Sequence, residues 1–347
     1  MIYRNTYAKI KLSNIKNNVN KIISSYSGYK YYIGVVKADT YGHNGSEVIQ
    51  AILDGGCNYL AVSSLEEALE IRKKFNTPIL CLGIIDPMHI DTCIDNNIDI
   101  TIPSINYFNE IKEKNVTCHI KIDTGMNRLG IKEKDELNEI INNPCNISIK
   151  GIYTHIYNAD NEETTNKQID KFKEITSDIN LNNIEMVHIA QSDTLINYPK
   201  IDICNGCRLG IIMYGLTDSN LDLLDTIELC SEIIDIKHLK KGETVSYNGT
   251  YEATTDELIG IVSIGYADGV NRHLTGSYIY INDNKYKIVG NICMDMLMVK
   301  IDDTVKIHDR VYIYKDINHI KYLSNYLDTI PYELICNISK RVPRIYM

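Results

Sequence analysis

The feature that most constrains this chain is a regular alternation of two kinds of segment along its first two thirds. Short runs rich in β-branched residues alternate with longer stretches whose apolar residues recur every three or four positions, a pattern typical of βα units. Eight such units make a (β/α)8 barrel, and an open, doubly wound parallel sheet is the alternative. The predicted strands are 31–37, 59–62, 79–82, 98–102, 118–122, 149–153, 186–189 and 204–208. The predicted helices are 46–53, 65–74, 105–112, 134–141 and 168–179.

The pattern of the sequence changes after Leu221. Turn signals such as Asn248-Gly249 and Asn282-Asp283-Asn284 now separate the apolar runs, which is typical of strands joined by turns. We therefore predict an α/β barrel over residues 8–221, and a mostly β domain of ordinary size over residues 222–347 together with residues 1–7. The segments predicted as strands with turns in this domain are 227–238, 244–253, 258–264, 277–289 and 298–314.

The composition limits the partners of the chain. It carries 36 basic and 45 acidic residues, a net charge of −9, which argues against a non-specific nucleic-acid binder. No apolar run approaches the roughly 18–20 residues that span a bilayer, and the first residues form no secretion signal, so no membrane partner is expected. The ten cysteines lie mostly in apolar segments, and Cys204 and Cys207 form a lone pair. Reduced thiols, no metal site and a cytoplasmic location are predicted.

The first segment that carries chemistry is VVKADTYGHN (35–44). Lys37 closes the first predicted strand, and the active sites of such barrels lie at the carboxyl ends of the strands. Apolar neighbours disfavour the ammonium form of a lysine and leave a nucleophilic amine suited to a Schiff base. The alternative is an ordinary surface lysine whose stem lies along apolar residues.

Two further groups of residues end predicted strands at the same edge. KIDTGMNRLG (121–130) predicts a turn that presents Arg128, whose guanidinium suits a carboxylate or a phenolate oxygen. His188, Ser192 and the segment from Arg208 follow the seventh and eighth strands, where such barrels bind phosphate through hydroxyls and backbone N–H groups. A structural ion pair and a capped turn are the respective alternatives.

Together these segments resemble the alanine racemase family, pyridoxal-phosphate enzymes that have a barrel followed by a β domain. The resemblance covers essentially the whole chain, from Tyr7 to Tyr346, and eight segments occur in the family's order. They are VVKADTYGHN, KIDTGMNRLG, THIYNAD, CRLGIIMYG, SYNGTY, GYADG, CMDM and YELICNISKRVPR.

The resemblance implies where pyridoxal 5'-phosphate would bind. Lys37 would hold it covalently, and Arg208 would face the pyridine nitrogen. A guanidinium is always protonated, so it can donate to an unprotonated ring nitrogen but is a very poor source of a proton for it. Such a ring is a weaker electron sink than one paired with a carboxylate, which suits racemisation. The phosphate would lie among Tyr41, Ser192, Gly210, Ile211 and Tyr332.

The resemblance also implies two catalytic bases on opposite faces of the substrate Cα. Lys37 would serve one face, and Tyr247 of the β domain would serve the other in the barrel of a partner subunit. The enzyme would then be a homodimer with shared active sites. A phenol with a pKa near ~10 needs cationic surroundings to act as a base at neutral pH. By resemblance, His155 beside Arg208 and Tyr247 would provide them.

The residues on the substrate side follow from the same resemblance. Arg128 would lie near the substrate carboxylate. Lys121 matches a lysine that is often carbamylated in the family, which would turn a cation into an anion able to position Arg128. Tyr266, Met294 and Asp295, contributed by the partner subunit, would line the substrate entry and the carboxylate pocket.

The chain departs from the family pattern at three positions. Asp39 and Gln191 stand where asparagine is usual, and Asn291 stands where arginine is usual. Each lies outside the residues that would touch the cofactor, so we expect weaker activity at most, with the function unchanged.

The leading interpretation is an alanine racemase that supplies D-alanine for peptidoglycan. One alternative is a serine racemase of the glycopeptide-resistance type, whose catalytic half follows a membrane domain and is expected to carry a smaller residue than Tyr332. Another is a non-catalytic pyridoxal-phosphate carrier, but these single-barrel proteins lack a β domain. Met1 favours a complete chain.

Overall fold

A closed parallel barrel occupies the first part of the molecule. The computed structural model describes residues 3–347; Met1 and Ile2, which the sequence pattern assigned to the β domain, lie outside the described residues. After β1 (Tyr7–Ile10), eight parallel strands follow in order, and β9 pairs with β2 to close the barrel. This confirms the predicted (β/α)8 barrel and excludes the open sheet. The barrel strands are β2 (Tyr31–Val35), β3 (Tyr59–Val62), β4 (Ile79–Cys81), β5 (Ile98–Ile102), β6 (Thr117–Lys121), β7 (Ser148–Tyr153), β8 (Met186–His188) and β9 (Gly206–Leu209).

Helices cover the outside of the barrel. All residues of β3 and β5 are buried, because parallel strands are packed against helices on one side and the barrel interior on the other. The helix predicted at 168–179 is displaced and spans Glu162–Ile175. Asn161 caps it by accepting a hydrogen bond from the Thr164 N–H, and its polar first turn carries no apolar repeat. The helices are Leu12–Ser25, Ser46–Asp54, Leu65–Arg72, Ile90–Asp95, Ile105–Ile111, Lys134–Asn142, Glu162–Ile175, Ser192–Asn197, Ile317–Tyr326 and Pro331–Cys336.

The second domain is built on an eight-stranded sheet. Across the sheet, the strands follow the order 257–262 (β13), 297–301 (β16), 284–289 (β15), 278–281 (β14), 310–314 (β17), 227–239 (β10), β1 and 344–346 (β18). Strand β10 also pairs with β13. A small separate pair, β11 and β12, projects from the domain. The strands are β10 (Ile227–Leu239), β11 (Thr244–Val245), β12 (Tyr251–Glu252), β13 (Glu257–Val262), β14 (Tyr278–Ile281), β15 (Asn284–Val289), β16 (Leu297–Ile301), β17 (Arg310–Tyr314) and β18 (Arg344–Tyr346).

Three of the segments predicted as strands with turns are each divided into two strands. The segment 244–253 is two short strands around a turn at Tyr247–Gly249, because Ser246 and Asn248 adopt positive φ values of 67° and 65°. The segment 277–289 divides at Asn282 and Asp283, which also have positive φ. The segment 298–314 divides into β16 and β17.

The strand β1 belongs to the second domain. The sequence pattern placed the barrel from residue 8 onward, but β1 pairs antiparallel with β10 and parallel with β18. Ala8 and Ile10 are fully buried, whereas Tyr7 and Lys9 between them are partly exposed. Such one-sided burial is typical of a strand in a sheet with one solvated face. Within residues 3–347, no helix is both long enough and apolar enough to cross a membrane.

Candidate active site

A cavity of about 440 Å³ opens at the carboxyl ends of the barrel strands. Ten of the predicted site residues line it together, and Gln191, one of the departures from the family pattern, lines it as well. Nine come from the barrel and one from the helix Pro331–Cys336 of the second domain. The ten residues are Lys37, Tyr41, Lys121, Arg128, His155, Ser192, Arg208, Gly210, Ile211 and Tyr332.

Lys37 is followed by an unusual backbone turn. The four residues from Ala38 to Tyr41 have φ values between 51° and 53°, so the chain forms one left-handed helical turn. Left-handed helix costs L-residues about 1–2 kcal/mol each. Part of the turn is held by Glu67, whose carboxylate accepts the N–H groups of Ala38 at 2.7 Å and of Ser63 at 2.9 Å. The strain is maintained where it sets the positions of Lys37 and Tyr41.

The second domain contacts the C-terminal end of this turn and holds it in place. Gly42 (φ 76°) packs so closely that a Cβ there would lie 1.9 Å from the carbonyl oxygen of Ile335. Arg344 donates to the carbonyl oxygen of Gly42 from Nε at 3.1 Å and from Nη2 at 2.8 Å. The other hydrogen bonds of this guanidinium go to carbonyl oxygens of the same C-terminal segment. The C-terminal segment therefore fixes the loop that carries Lys37.

The cavity has an excess of positive charge. Burial and then the Arg128 cation lower the pKa of Lys37. Burial, Arg128 and Arg208 lower the pKa of Lys121 to about 8. Burial, followed by these cations, lowers the pKa of His155 to about 3, so the imidazole is neutral. The cations around His155 are the neighbouring lysine and arginine side chains.

Arg208 is the most firmly held of these cations. It is 3% exposed, and burial lowers its pKa to about 10. Nη1 donates to Nδ1 and to the carbonyl oxygen of His188 at 2.7 and 2.8 Å. Nη2 donates to the carbonyl oxygens of Thr154 and Ile189 at 2.7 and 3.0 Å. The ring of Tyr153 lies beneath the guanidinium, 5.3 Å from Cζ.

A recess lined by hydroxyl groups lies on another side of the cavity. The N–H of Gly210 donates to Oγ of Ser192 at 3.1 Å. A Cβ on Gly210 would lie 3.0 Å from Oη of Tyr41 and 3.4 Å from Oγ of Ser192. The rings of Tyr41 and Tyr332 lie 6.0 Å apart. The missing side chain of Gly210 thus leaves room for a ligand that hydroxyl and N–H groups can bind.

Arg128 is presented by a short turn after β6. Oδ1 of Asp123 accepts the N–H groups of Gly125 at 2.9 Å and Asn127 at 3.1 Å. These bonds fix the turn, as the spacing of the segment predicted. Arg128 is exposed at the cavity mouth.

Tyr247, Met294 and Asp295 do not reach the cavity of their own barrel. They line a separate depression on the β domain, where Tyr247 is 70% exposed. Tyr266 is next to this patch, because its N–H donates to the carbonyl oxygen of Cys293 at 3.0 Å. Asp295 accepts a hydrogen bond from Arg341 at 2.7 Å.

The three departures from the family pattern each have a local role. The side-chain amide of Asn291 donates to the carbonyl oxygen of Tyr247 at 2.7 Å and so holds the turn of that residue. Gln191 caps the helix that begins at Ser192 by accepting the N–H of Asp193 at 2.9 Å. Asp39 lies 3.5 Å from the ammonium of Lys340 on the surface.

Some residues of the site were missed in the sequence. Tyr153 ends β7 and lines the cavity, so its place at the end of a predicted strand was an available signal. Glu67 follows the capping serine Ser64 by three residues, a spacing that marks the start of a helix but not a contact with Ala38. Nothing local in the sequence connects Arg344 with Gly42, because that contact is tertiary.

A half-buried lysine at the mouth of a parallel barrel, a hydroxyl-lined recess and an accessory β domain define a class of (β/α)8-barrel enzymes that act through a lysine amine. The chain matches the family models for the alanine racemase N-terminal domain over residues 10–218 and C-terminal domain over residues 226–346. The chain therefore belongs to the alanine racemase family, whose members are isomerases.

Individual relatives agree over the whole length. Alanine racemase 1 of Bacillus subtilis (strain 168) is 36% identical over an alignment 368 positions long, which covers 99% of this chain and 94% of that protein. The crystal structure of alanine racemase from E. faecalis has a TM-score of 0.94 at 31% identity and covers 99% of both chains. The alanine racemase from Bacillus anthracis with bound L-Ala-P has a TM-score of 0.93 at 32% identity, covering 100% of this chain and 96% of that one.

Proposed function

We propose that this protein interconverts L- and D-alanine with pyridoxal 5'-phosphate and supplies D-alanine for peptidoglycan. The observation that carries the proposal is the position of Lys37, held by a strained turn at the mouth of the barrel in a chain of the alanine racemase family. Burial and Arg128 lower its pKa, which favours the neutral, nucleophilic amine.

The residues present fit this cofactor. Tyr41, Ser192, Gly210, Ile211 and Tyr332 form the recess for its phosphate, and the space that a Cβ on Gly210 would fill is part of that recess. Hydroxyl and N–H donors suit a dianion even in a chain of net charge −9. When bound, the cofactor supplies an electron sink that acidifies the Cα–H of the amino acid.

Arg208 and His155 set the polarity of the site around the ring. The hydrogen bonds of Arg208 use Nη1 and Nη2, and among residues 3–347 no acceptor contacts its Nε–H, which is thus free to face the ring nitrogen. With a pKa of about 10, the guanidinium stays charged at neutral pH and gives up no proton. The neutral His155 places a polar group beside it without adding a further charge.

Two proton-transfer groups complete the proposal. Lys37 exchanges a proton on one face of the substrate Cα, and Tyr247 of the partner subunit does so on the other, because one base cannot easily reach both faces. The 70% exposure of Tyr247 on the β domain, away from its own barrel, supports this role in a homodimer with shared sites. Such a positioned base contributes about 10²–10⁴ in rate.

The substrate side follows from charge. Arg128 at the mouth gives the substrate carboxylate a cationic partner. Tyr266, Met294 and Asp295 of the partner subunit line the entry. All ten cysteines are free thiols, which supports a reducing compartment, and we place the enzyme in the cytoplasm.

Serine is the second candidate substrate, and one experiment separates it from alanine. The protein with cofactor is incubated with L-alanine or L-serine in deuterated water, and optical rotation and Cα deuteration are followed. We expect inversion with deuterium incorporation, faster for alanine. Exchange without inversion would remove the two-base racemase, and a faster reaction with serine would replace the substrate. Lys37→Ala should abolish both signals and the visible absorbance of the lysine-bound cofactor, whereas the exposed-site control Lys287→Ala should change neither.

A further inference from the structure

A chain of hydrogen bonds crosses the interior of the barrel below Arg208. Nη1 of Arg208 is 2.7 Å from Nδ1 of His188, and Nε2 of His188 is 3.0 Å from Nδ1 of His119. Both imidazoles are completely buried. This series of hydrogen bonds begins at the carboxyl end of the barrel strands, because His188 is the last residue of β8. It reaches the middle of β6 at His119.

The chain ends at an ion pair near the opposite end of the barrel. Nε2 of His119 lies 3.4 Å from Oη of Tyr59 and 3.8 Å from Oδ2 of Asp99, and Oη of Tyr59 donates to the same carboxylate. Nζ of Lys150 is 3.0 Å from Asp99 and is partly exposed. Tyr59 and Asp99 are the first and second residues of β3 and β5. A continuous polar path therefore leads from the active-site mouth to the amino end of the strands.

Only one arrangement of protons satisfies all the hydrogen bonds in this path. A guanidinium has donors and no acceptor, so Nδ1 of His188 must accept and its proton must lie on Nε2. That proton is donated to Nδ1 of His119, whose own proton must then lie on Nε2, facing Tyr59 and Asp99. Burial and the Arg208 cation hold the pKa of His188 well below its ordinary value, and burial lowers that of His119 although Asp99 opposes it. Both imidazoles are therefore neutral.

Asp99 supplies the negative charge at the end of the path. Burial alone would raise the pKa of this carboxyl, but His119, Tyr59 and Lys150 outweigh it, and the pKa is lowered. Arg208 itself is bound by three carbonyl oxygens and one imidazole, with no carboxylate among its hydrogen-bond partners in the described chain. The carboxylate that the path joins to Arg208 lies two imidazoles away.

We propose that His119 and Asp99 are positioning residues that fix the tautomer of His188 and, through it, the orientation of Arg208 toward the place of the cofactor's ring nitrogen. A neutral imidazole with an open Nδ1 is a strong acceptor for one arm of the guanidinium, and Asp99 polarises both imidazoles in that direction. The part that concerns the ring rests on the proposed function, whereas the part that concerns the two tautomers does not.

The tautomers are measured directly by NMR of the protein with ¹⁵N-labelled histidine, without and with cofactor. We expect His119 and His188 to carry their protons on Nε2 in both states, with signals assigned by their loss in His119→Leu and His188→Leu. A proton on Nδ1 of His188, or a doubly protonated ring, would overturn the proposal. This measurement needs no activity, so it remains decisive even if the protein does not racemise alanine.

The effect on the site is measured in three variants. Asp99→Leu removes the distal acceptor, His119→Leu breaks the path, and His119→Asn restores an acceptor for Nε2–H of His188. Pyruvate forms when the amino group of alanine is transferred to the cofactor, which is thereby converted to its amine form. We expect the amount of pyruvate formed per racemisation event to rise about ten- to a hundredfold in both leucine variants, because a loosened Arg208 leaves the ring nitrogen open to protonation by water. His119→Asn should recover most of the normal ratio.

The matched control is Asn18→Leu, which removes a buried amide that binds the carbonyl oxygens of Met213 and Leu224 outside this path. It should lower stability without changing the ratio. An unchanged ratio in Asp99→Leu and His119→Leu, or the same rise in Asn18→Leu, would assign the path a structural role only. If Asp99→Leu does not fold, the pair His119→Leu and His119→Asn decides the same question.

Discussion

Lys121 lies at the end of β6 and is 5% exposed, and this burial, followed by the Arg128 and Arg208 cations, lowers its pKa to about 8. Its neutral fraction therefore rises as the pH passes through 8, whereas an ordinary lysine stays charged until about pH 10.4. A neutral amine attacks CO₂, forms a C–N bond and releases a proton, which leaves a carbamate anion. That anion would offset part of the positive charge around Arg128.

We predict that Lys121 binds CO₂ as a carbamate, and that its amount at constant CO₂ pressure rises between pH 7 and 9. The measurement is ¹³C NMR of the protein equilibrated with ¹³CO₂, with Lys121→Arg as the control that keeps the charge and cannot react. A protein spectrum without a carbamate signal, or with the same signal in the control, would contradict the prediction.

A substitution at Gly210 tests whether the hydroxyl-lined recess holds the phosphate of the cofactor. In Gly210→Ala the new Cβ would approach Oη of Tyr41 at 3.0 Å and Oγ of Ser192 at 3.4 Å, in the space assigned to the phosphate. We expect cofactor affinity to fall about tenfold or more, equivalent to ~1.4 kcal/mol, while the fold is kept. A titration of the apoprotein with cofactor measures this, and equal affinities in variant and parent would place the phosphate elsewhere.

At the scale of elements, the left-handed turn after β2 is held from two sides. Glu67 binds its first N–H, and Arg344 of the C-terminal segment binds the carbonyl oxygen of Gly42 that follows it. Without these contacts, the turn would relax toward right-handed backbone, which L-residues prefer. The position of Lys37 therefore depends on a residue of the other domain.

Arg344→Met should release this clamp. We expect faster amide hydrogen exchange over residues 37–43 and a loss of about 1–3 kcal/mol in stability, since several buried carbonyl groups lose their donor. Arg310→Met, at the exposed first residue of β17, is the matched control and should leave exchange over residues 37–43 unchanged. Exchange that is equally slow in both variants would show that Glu67 alone maintains the turn.

Helices and strands were predictable from the sequence where a single spacing of apolar residues continued along the segment. All eight barrel strands were found within a few residues, because buried parallel strands are short, continuous apolar runs. The helix Leu12–Ser25 was missed although Ile15, Val19 and Ile22 follow helical spacing, since asparagines between them lower helix propensity. The turn at Tyr247–Gly249 was marked by the Asn248-Gly249 signal, but nothing local marks the positive φ of Ser246, whose hydroxyl donates to the carbonyl oxygen of Asn291.

The residues of the site were likewise predictable only in part from the sequence. Lys37, Arg128 and Arg208 follow predicted strands, so the barrel topology alone brings them together. The contacts of Arg344 with Gly42 and of Asp99 with His119 join residues far apart in sequence, and no local pattern marks them.

At the scale of the whole molecule, the barrel cavity and the Tyr247 patch lie on separate surfaces of one chain. If two subunits exchange these surfaces, one inactive chain can repair another. Lys37→Ala keeps an intact Tyr247, and Tyr247→Ala keeps an intact Lys37, so a mixed dimer would contain one complete site.

We predict that co-refolding or co-expression of these two inactive variants restores activity. Random pairing makes half of the dimers mixed, and one of their two sites is complete, so about a quarter of the parent activity should return. The control replaces Tyr247→Ala by the double variant Lys37→Ala/Tyr247→Ala, which leaves no complete site. Failure of the first mixture to exceed this control would mean that both residues act within one chain.

The place of β1 has a consequence for biosynthesis. Its antiparallel partner β10 begins at Ile227, and its parallel partner β18 consists of Arg344–Tyr346. At a translation rate of about 5–20 residues per second, roughly 10–40 s pass between the synthesis of β1 and that of β10. During this interval the nascent barrel can assemble on the ribosome while Ala8 and Ile10 have no sheet to cover them. Strand β1 is thus synthesised before the barrel strands but paired after them, so the β domain is complete only once Arg344–Tyr346 has been made.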